Sequence, residues 1–303
     1  MIIIKQPLNF KNLSFSLLVI YVLFFSKSIF GESINAYDDL GNELFLENPA
    51  SRIIVLGPNL VEIFFSIGVG SKIIGVDEAS DYPIEAKKIK KIASYNSINY
   101  EEIASLSPDL IFMWSTGFSF SKIKKLKDLG IPVYLSQPKN ILDIEKLIRS
   151  AGYLTGNTKL SDEVASKFVD ELNSYKKKYE HKTKIPVFYQ IWDEPLQTLN
   201  GDHIVSDIIE LCGGINIFNS MHEIAPKVTI ESVILNNPSV ILIGAKGKSK
   251  NIWLDNWSNW QIINAVKNNQ IFIINPDLVV RESPRIIQGV EEVCDILDKA
   301  RTD

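Results

Sequence analysis

Four large aromatic residues stand at the ends of, or just beyond, apolar runs that read as strands: Tyr82, Tyr95, Trp114 and Trp192. Aromatic faces in such places suit stacking on a large, flat, partly apolar molecule rather than breaking a bond in it. Beyond another apolar run, Ile271 to Ile274, come Asp277, Leu278, Val279, Val280 and Arg281. There a carboxylate and a guanidinium can reach polar groups of the same molecule, or simply pair with each other at the surface. Bond-making chemistry has little to work with. There is no Gly-x-Gly-x-x-Gly, no phosphate-binding Gly-Lys-Ser/Thr loop, no His-Glu-x-x-His and no Gly-x-Ser-x-Gly. His181, His203 and His222 lack the spacing of a metal site and read as surface or loop residues. Asp193 and Glu194 are adjacent at a strand end, where neighbouring side chains point opposite ways, so they make a poor acid pair. No catalytic residue, metal or resident cofactor is expected.

Two further acids matter by their spacing. The stretch from Glu101 to Phe112 returns from Glu231 to Leu242, each copy with a glutamate, a helical stretch, a proline (Pro108, Pro238) and an apolar run. The offset of about 130 residues also pairs the capping residues Asn99 and Thr229. Register kept by four features predicts two similar lobes, each presenting one acidic helix start, with a working groove between them. A glutamate in a first helical turn also complements the helix dipole on its own account.

The elements that position these residues alternate. Strands are expected at Ile53 to Leu56, Ile73 to Val76, Ile92 to Ser94, Leu110 to Trp114 and Val133 to Leu135, after a short hairpin from Ser33 to Leu46. Helical patterns fall between them at Asn59 to Ile67, Tyr100 to Leu106, Phe118 to Leu129 and Ile141 to Gly152. A second series has strands at Val187 to Trp192, Gln197 to Leu199, Val240 to Ile243 and Ile271 to Ile274. Its helices are expected at Ile204 to Leu211, Ile230 to Leu235, Trp260 to Val266 and Ser283 to Ala300, with Ser283 as cap and Pro284 in the first turn. Short apolar strands alternating with helices imply mainly parallel sheets covered on both faces. Between the series, Leu160, Val164, Phe168, Leu172 and Tyr175 recur at helical spacing with no proline or glycine from Lys159 to Tyr179. That predicts either a stiff helix joining two lobes or an ordinary surface helix of one of them. The resulting boundaries are 1–31, 32–158, 159–182 and 183–303.

Residues 1–31 have the layout of a secretory signal: Lys5 and Lys11, an apolar run from Leu13 to Phe25, then small and polar residues to Gly31. The run is short for a membrane span, so a cleaved signal is expected. An uncleaved anchor is the alternative, because Ile29 fits the minus-three position of a cut after Gly31 poorly. No cysteine lies near the cut, which excludes a lipid anchor there. The only cysteines are Cys212 and Cys294. In an exported protein they read as one disulfide, with two buried free thiols as the alternative. An exported chain of this kind suits the periplasm. Without the signal, 29 basic residues face 36 acidic ones, a balance that argues against nucleic acid.

Several runs carry a family resemblance. They are Arg52 to Asn59, Ser80-Asp81-Tyr82-Pro83, Leu106 to Ile111, Leu211 to Phe218 and Arg281 to Arg285. Together they resemble the periplasmic binding proteins of helical-backbone ABC importers, over nearly the whole mature chain, and most of all the cobalamin-binding members. The resemblance implies an α/β fold of two Rossmann-like lobes joined by a single long α-helix, with the ligand cleft between the lobes and little hinge motion. It implies a non-enzymatic, monomeric carrier that delivers cobalamin (vitamin B12) to the permease dimer of an ABC transporter in the inner membrane. Tyr82 matches a corrin-contacting tyrosine, Asp277 to Arg281 a ligand-contacting loop, and Tyr95 and Trp114 aromatic positions of the cleft. Cys212 and Cys294 match the family's disulfide. Glu101 and Glu231 match glutamates that dock onto permease arginines. Ala225 stands where a cleft tryptophan is expected, Leu278-Val279 replaces a Trp-Phe pair, and Trp192 lies one position off the family's aromatic. A ferric siderophore or haem is the alternative ligand, and an α/β enzyme acting on a nucleotide-like cofactor the reading from another class.

Overall fold

In the computed structural model, which describes residues 33–94 and 96–302, the chain forms two parallel sheets and one small hairpin. The segment expected as a signal and Tyr95 lie outside the described residues. Strands β1 (Ile34–Tyr37) and β2 (Glu43–Leu46) make the antiparallel hairpin. The first sheet contains β3 (Ile53–Leu56), β4 (Ile73–Asp77), β5 (Lys91–Ala93), β6 (Leu110–Trp114) and β7 (Val133–Ser136) in the order β5-β4-β3-β6-β7. All four pairings are parallel. Strand β3 is apolar and buried at every residue, as a central strand covered on both faces must be.

The second sheet contains β8 (Ile185–Gln190), β9 (Gly214–Asn216), β10 (Val240–Gly244) and β11 (Ile271–Ile274) in the order β11-β10-β8-β9, again parallel throughout. Its winding is that of the first sheet less one edge strand. In both, the chain goes first to one side of the starting strand and then crosses to the other. The crossing puts a topological switch point at the carboxyl ends of β3 and β6, and an equivalent one at β8 and β10.

The duplicated segment folds twice in the same way. Helices Tyr100–Leu106 and Ile230–Asn236 are capped by Asn99 and Thr229, whose side chains accept the backbone N–H of Glu102 (3.0 Å) and Ser232 (3.2 Å). Both end in a left-handed residue, Ser107 (φ 46°, ψ 60°) and Asn237 (φ 40°, ψ 66°), and both feed a strand.

A 22-residue helix, Thr158–Tyr179, lies between the two series and buries Ser161, Ala165, Phe168, Leu172 and Tyr179. It packs on helix Asp143–Thr155 through a very close approach. A Cβ built on Gly152 would stand 1.9 Å from Ser161 Oγ, so only glycine fits. Near the end of the second series, Cys212 and Cys294 are bonded and tie the C-terminus of helix Ile204–Leu211 to helix Ile286–Lys299. Among the described residues, no helix is long and apolar enough to cross a membrane.

The structure differs from the pattern-based reading at four places. The helix expected from Trp260 to Val266 is only the short Asn264–Lys267. Gln197 makes only isolated bridges, to Trp192 and Lys227, and the fourth strand of the second sheet is instead Gly214–Asn216. That strand is three residues long and begins in a Gly-Gly pair, too short to show alternation. Helix Ser249–Trp257 buries only Trp253 and Trp257, so it has no apolar stripe to betray it. Ser283 does not cap the last helix, because its hydroxyl is bonded elsewhere.

The tight helix crossing makes a specific prediction. Gly152→Ala should destabilise the protein by about 1–3 kcal/mol in chemical denaturation, the usual range for overpacking. Adding Ser161→Gly should recover part of the loss, and no recovery would place the strain elsewhere.

Candidate functional site

The first switch point is built by a glycine. Gly57 follows β3 with φ 145°, and its N–H donates to Asp77 at 2.5 Å. A Cβ there would meet Asn59 Oδ1 at 2.9 Å and the Trp114 side chain at 3.1 Å. The absent side chain lets helix Pro58–Ser66 start against the end of β6. That helix then carries two buried polar residues, Asn59 and Glu62, toward the second lobe.

The second lobe answers from the segment after β11. Residues Asp277–Val280 form one helical turn, and Arg281 to Arg285 follow. Glu62, 4% exposed, accepts four hydrogen bonds. They come from Arg281 Nη1 (3.0 Å), Ser283 Oγ (2.5 Å), Arg285 Nε (3.1 Å) and Arg285 Nη2 (2.5 Å). Arg281 also reaches Asp81 at 2.9 Å and Asp277 at 3.3 Å, and Asp277 pairs with Lys246. Burial pushes the Asp81 carboxyl up, but the hydrogen bond and charge of Arg281 outweigh it and hold the group below the usual carboxylate range. A second tie between the lobes runs from the Ile141 N–H to Asp207 at 2.9 Å.

A cleft of about 600 Å³ opens beside this joint, lined from the first lobe by Trp114, Gln137 and Asn140 and from the second by His203, Ala225 and Glu282. Glu282 accepts from Asn59 Nδ2 at 3.0 Å across the lobes. Burial pushes its carboxyl up to about 7, against its own backbone N–H and the Asn59 bond, which favour the charged form. His203 sits at the start of helix Ile204–Leu211, where Nδ1 accepts the Val205 N–H at 3.2 Å. Burial lowers its pKa to about 4, so the ring is neutral and its proton is on Nε2. Among the described residues, no cluster of histidine, cysteine and acidic side chains could hold a metal ion.

The residues singled out by sequence fall in different places. Trp114 lies in the cleft wall. Tyr82 lines a neighbouring recess of about 580 Å³, with the Arg285 guanidinium 3.9 Å from its ring centroid. Arg281 and Asp277 adopt the pairing alternative, extended to Glu62, Asp81 and Lys246. Val279 is 1% exposed and faces the core, packed where helix Ile286–Lys299 approaches at Gly289, so it is not a cleft residue. Leu278 and Val280 are half-buried. Trp192, 55% exposed, follows β8, packs edge-on against Trp253 and lines neither concavity. His203 belongs to the cleft, where sequence reasoning had a surface or loop residue. Its position directly before an apolar helical run was the available signal. Glu62 was also missed, although a lone acid amid Leu60, Val61, Ile63 and Phe64 marks a buried charge in need of partners.

Glu101 and Glu231 are both exposed in the first turns of their helices. The backbone at the helix start and the Thr229 side chain hold the Glu231 carboxyl below its ordinary value. Each helix is entered from a strand that the chain leaves at its carboxyl edge, so both acids lie toward the edge on which the switch points open.

Comparison with known proteins adds to this geometry. A family model described as periplasmic binding protein matches residues 53–278. The chain is 35% identical over 254 residues to a vitamin B12-binding protein of Vibrio cholerae, covering 84% of this chain and 91% of that one. The crystal structure of the periplasmic vitamin B12 binding protein of Vibrio cholerae superposes with a TM-score of 0.78 at 35% identity, over 84% of this chain and 99% of that one. A possible iron-binding, periplasmic solute-binding protein from Staphylococcus epidermidis gives 0.73 at 30% identity, over 82% and 99%.

The perturbed carboxyl makes stability depend on pH. Because the folded-state pKa of Glu282 is raised, its contribution is fully present below the ordinary carboxylate range and is lost as pH rises through about 7. Glu282→Gln should therefore flatten the fall in stability across that window, by on the order of a few kcal/mol at its upper end. Parallel denaturation curves for the two proteins at every pH would contradict this.

Proposed function

Because the chain belongs to the periplasmic binding protein family, we propose that it captures cobalamin or a related corrinoid between its lobes and hands it to an ABC importer in the inner membrane. The observation that carries this reading is the preformed cleft beside the Glu62 joint. It offers the indole of Trp114, the carboxamide of Gln137 and a neutral imidazole. A corrin macrocycle with peripheral amides is a ligand of matching chemistry: the flat part packs on Trp114 and the amides exchange hydrogen bonds with the wall. The relatives named as vitamin B12-binding proteins support the same choice. Export through residues 1–31 would bring the protein to the periplasm, where it acts as a monomer and does no chemistry.

His203 separates this reading from haem. A neutral imidazole coordinates iron through a nitrogen that carries no proton. Here the helix start occupies Nδ1 as an acceptor and leaves the proton on Nε2, so the ring faces the cleft as a hydrogen-bond donor. A donor suits an amide oxygen. Calorimetric titration of the mature protein should give heat with cyanocobalamin and none with haemin or a ferric hydroxamate. Heat with haemin alone would sink the proposal.

For delivery, we assign the docking contacts to Glu101 and Glu231. They are exposed, sit on equivalently built helices and lie toward the edge on which the cleft opens, so a permease dimer with two equivalent basic sites can grip both lobes above the ligand. Glu101→Ala combined with Glu231→Ala should abolish cobalamin uptake by cells while leaving affinity for cyanocobalamin within about twofold, the residues being remote from the cleft wall. Uptake at the normal rate would remove the docking role, and lost affinity would move these residues into the binding site.

A further inference from the structure

The segment Arg281-Glu282-Ser283-Pro284-Arg285 holds an acid between two arginines, and local pairing would be the simple expectation. The structure does otherwise. Arg281, Ser283 and Arg285 all turn to Glu62 of the first lobe, and Glu282 takes part in no ion pair among the described residues. Its one side-chain partner is Asn59 Nδ2, bound to Oε2. The carboxyl is thus a largely desolvated acid, uncompensated by a cation, set in the cleft wall with Trp114 and His203. Such a group is costly to leave without a further partner. Of the charged and titratable groups nearby, Lys139, Asp202 and His203 share the cleft lining, while Glu62, Arg281 and Arg285 are engaged with one another.

We propose that Glu282 is a specificity-determining residue that reads a carboxamide N–H on the ligand and rejects a carboxylate in its place. The inference rests on the corrinoid reading and adds to it the polarity of one subsite. Oε2 is held by Asn59, which fixes the plane of the carboxyl and orients its remaining acceptor capacity. An ionised carboxyl accepts from an amide N–H, and a protonated one can do so through its carbonyl oxygen. A ligand carboxylate brought against the ionised form meets like charge in a poorly solvated site, which costs far more than in water. Physical chemistry of the pocket thus favours the amide side chains of a corrin over their hydrolysed acids.

The test uses cyanocobalamin and its isomeric monocarboxylic acids, in each of which one peripheral carboxamide is hydrolysed. Affinities are measured calorimetrically at mildly alkaline pH, where Glu282 is ionised. The wild type should bind at least one isomer about tenfold or more weaker than cyanocobalamin, the scale of one lost hydrogen bond or a like-charge contact. Glu282→Gln offers an N–H donor to that carboxylate and should bring the ratio for the same isomer to within about threefold. Glu282→Ala provides a second reading, removing the repulsion without supplying the donor, and should give an intermediate ratio. Equal ratios in wild type and Glu282→Gln for every isomer, with cyanocobalamin still bound, would overturn the inference alone. Failure of the wild type to bind cyanocobalamin would overturn it together with the corrinoid reading.

Discussion

A carboxylate with almost no access to water holds the two lobes in register. Glu62 comes from the helix after β3, and its partners Arg281, Ser283 and Arg285 come from the segment after β11, more than 200 residues away. Burying a charge is expensive, and it is tolerable only where geometry satisfies the oxygens fully. Four hydrogen bonds do that here. Removing any one partner would leave a buried charge short of compensation, so the arrangement resists sliding of one lobe past the other. The position of every cleft residue relative to its counterpart across the groove follows from this joint. It also explains why Arg285 lies on the ring of Tyr82 and why Glu282, passed over by both arginines, is left to face the cleft.

The sheets deliver those groups through topology alone. Each lobe has a strand order with one reversal, and each reversal opens a gap at the carboxyl edge of its sheet; beside the first, Trp114 enters the cleft wall. Gly57 is favoured at the first gap because its φ of 145° strains any side chain and a Cβ there would crowd Asn59 Oδ1 at 2.9 Å and Trp114 at 3.1 Å. The 22-residue helix between the lobes limits motion further, since a continuous helix is stiff where a glycine-rich linker would not be. A cleft held from two sides in this way is largely formed before a ligand arrives, and little of the binding energy is spent on ordering it.

How much of this was legible in the sequence depends on the range of the interaction. The repeated glutamate, cap and proline at Asn99 to Leu110 and Thr229 to Val240 are local features, and their backbones fold alike down to the left-handed Ser107 and Asn237. Continuous apolar runs such as Ile53 to Leu56 and Val240 to Ile243 identified central strands because burial on both faces erases alternation. Misreadings cluster where a distant partner decides. Ser283 has the local signature of a helix cap, yet Glu62 takes its hydroxyl. Val279 stands in a segment expected to meet ligand, yet the close approach at Gly289 turns it to the core. His203 is not a favoured cap by type, yet its imidazole nitrogen fills that role and fixes the tautomer presented to the cleft.

The duplication also shows where the two lobes ceased to be equivalent. At the starts of helices Tyr100–Leu106 and Ile230–Asn236 they keep a side-chain cap, Asn99 in one and Thr229 in the other, followed by an exposed acid. At the ends of β6 and β10 they part. Trp114 closes the first strand, while its counterpart in register is Gly244, where a Cβ would stand 2.3 Å from Tyr189 Oη. An indole at that second position has no space, so the two halves of the cleft cannot offer the same surface. The first lobe supplies the large aromatic side chain and the Gln137 carboxamide, and the second supplies His203, the small Ala225 and Glu282, which is bonded to Asn59. A ligand that fits such a groove packs a flat apolar face on Trp114 and meets hydrogen-bonding groups from both lobes. In the function proposed above, the symmetry retained in the repeat serves the partner, and the symmetry lost serves the cargo.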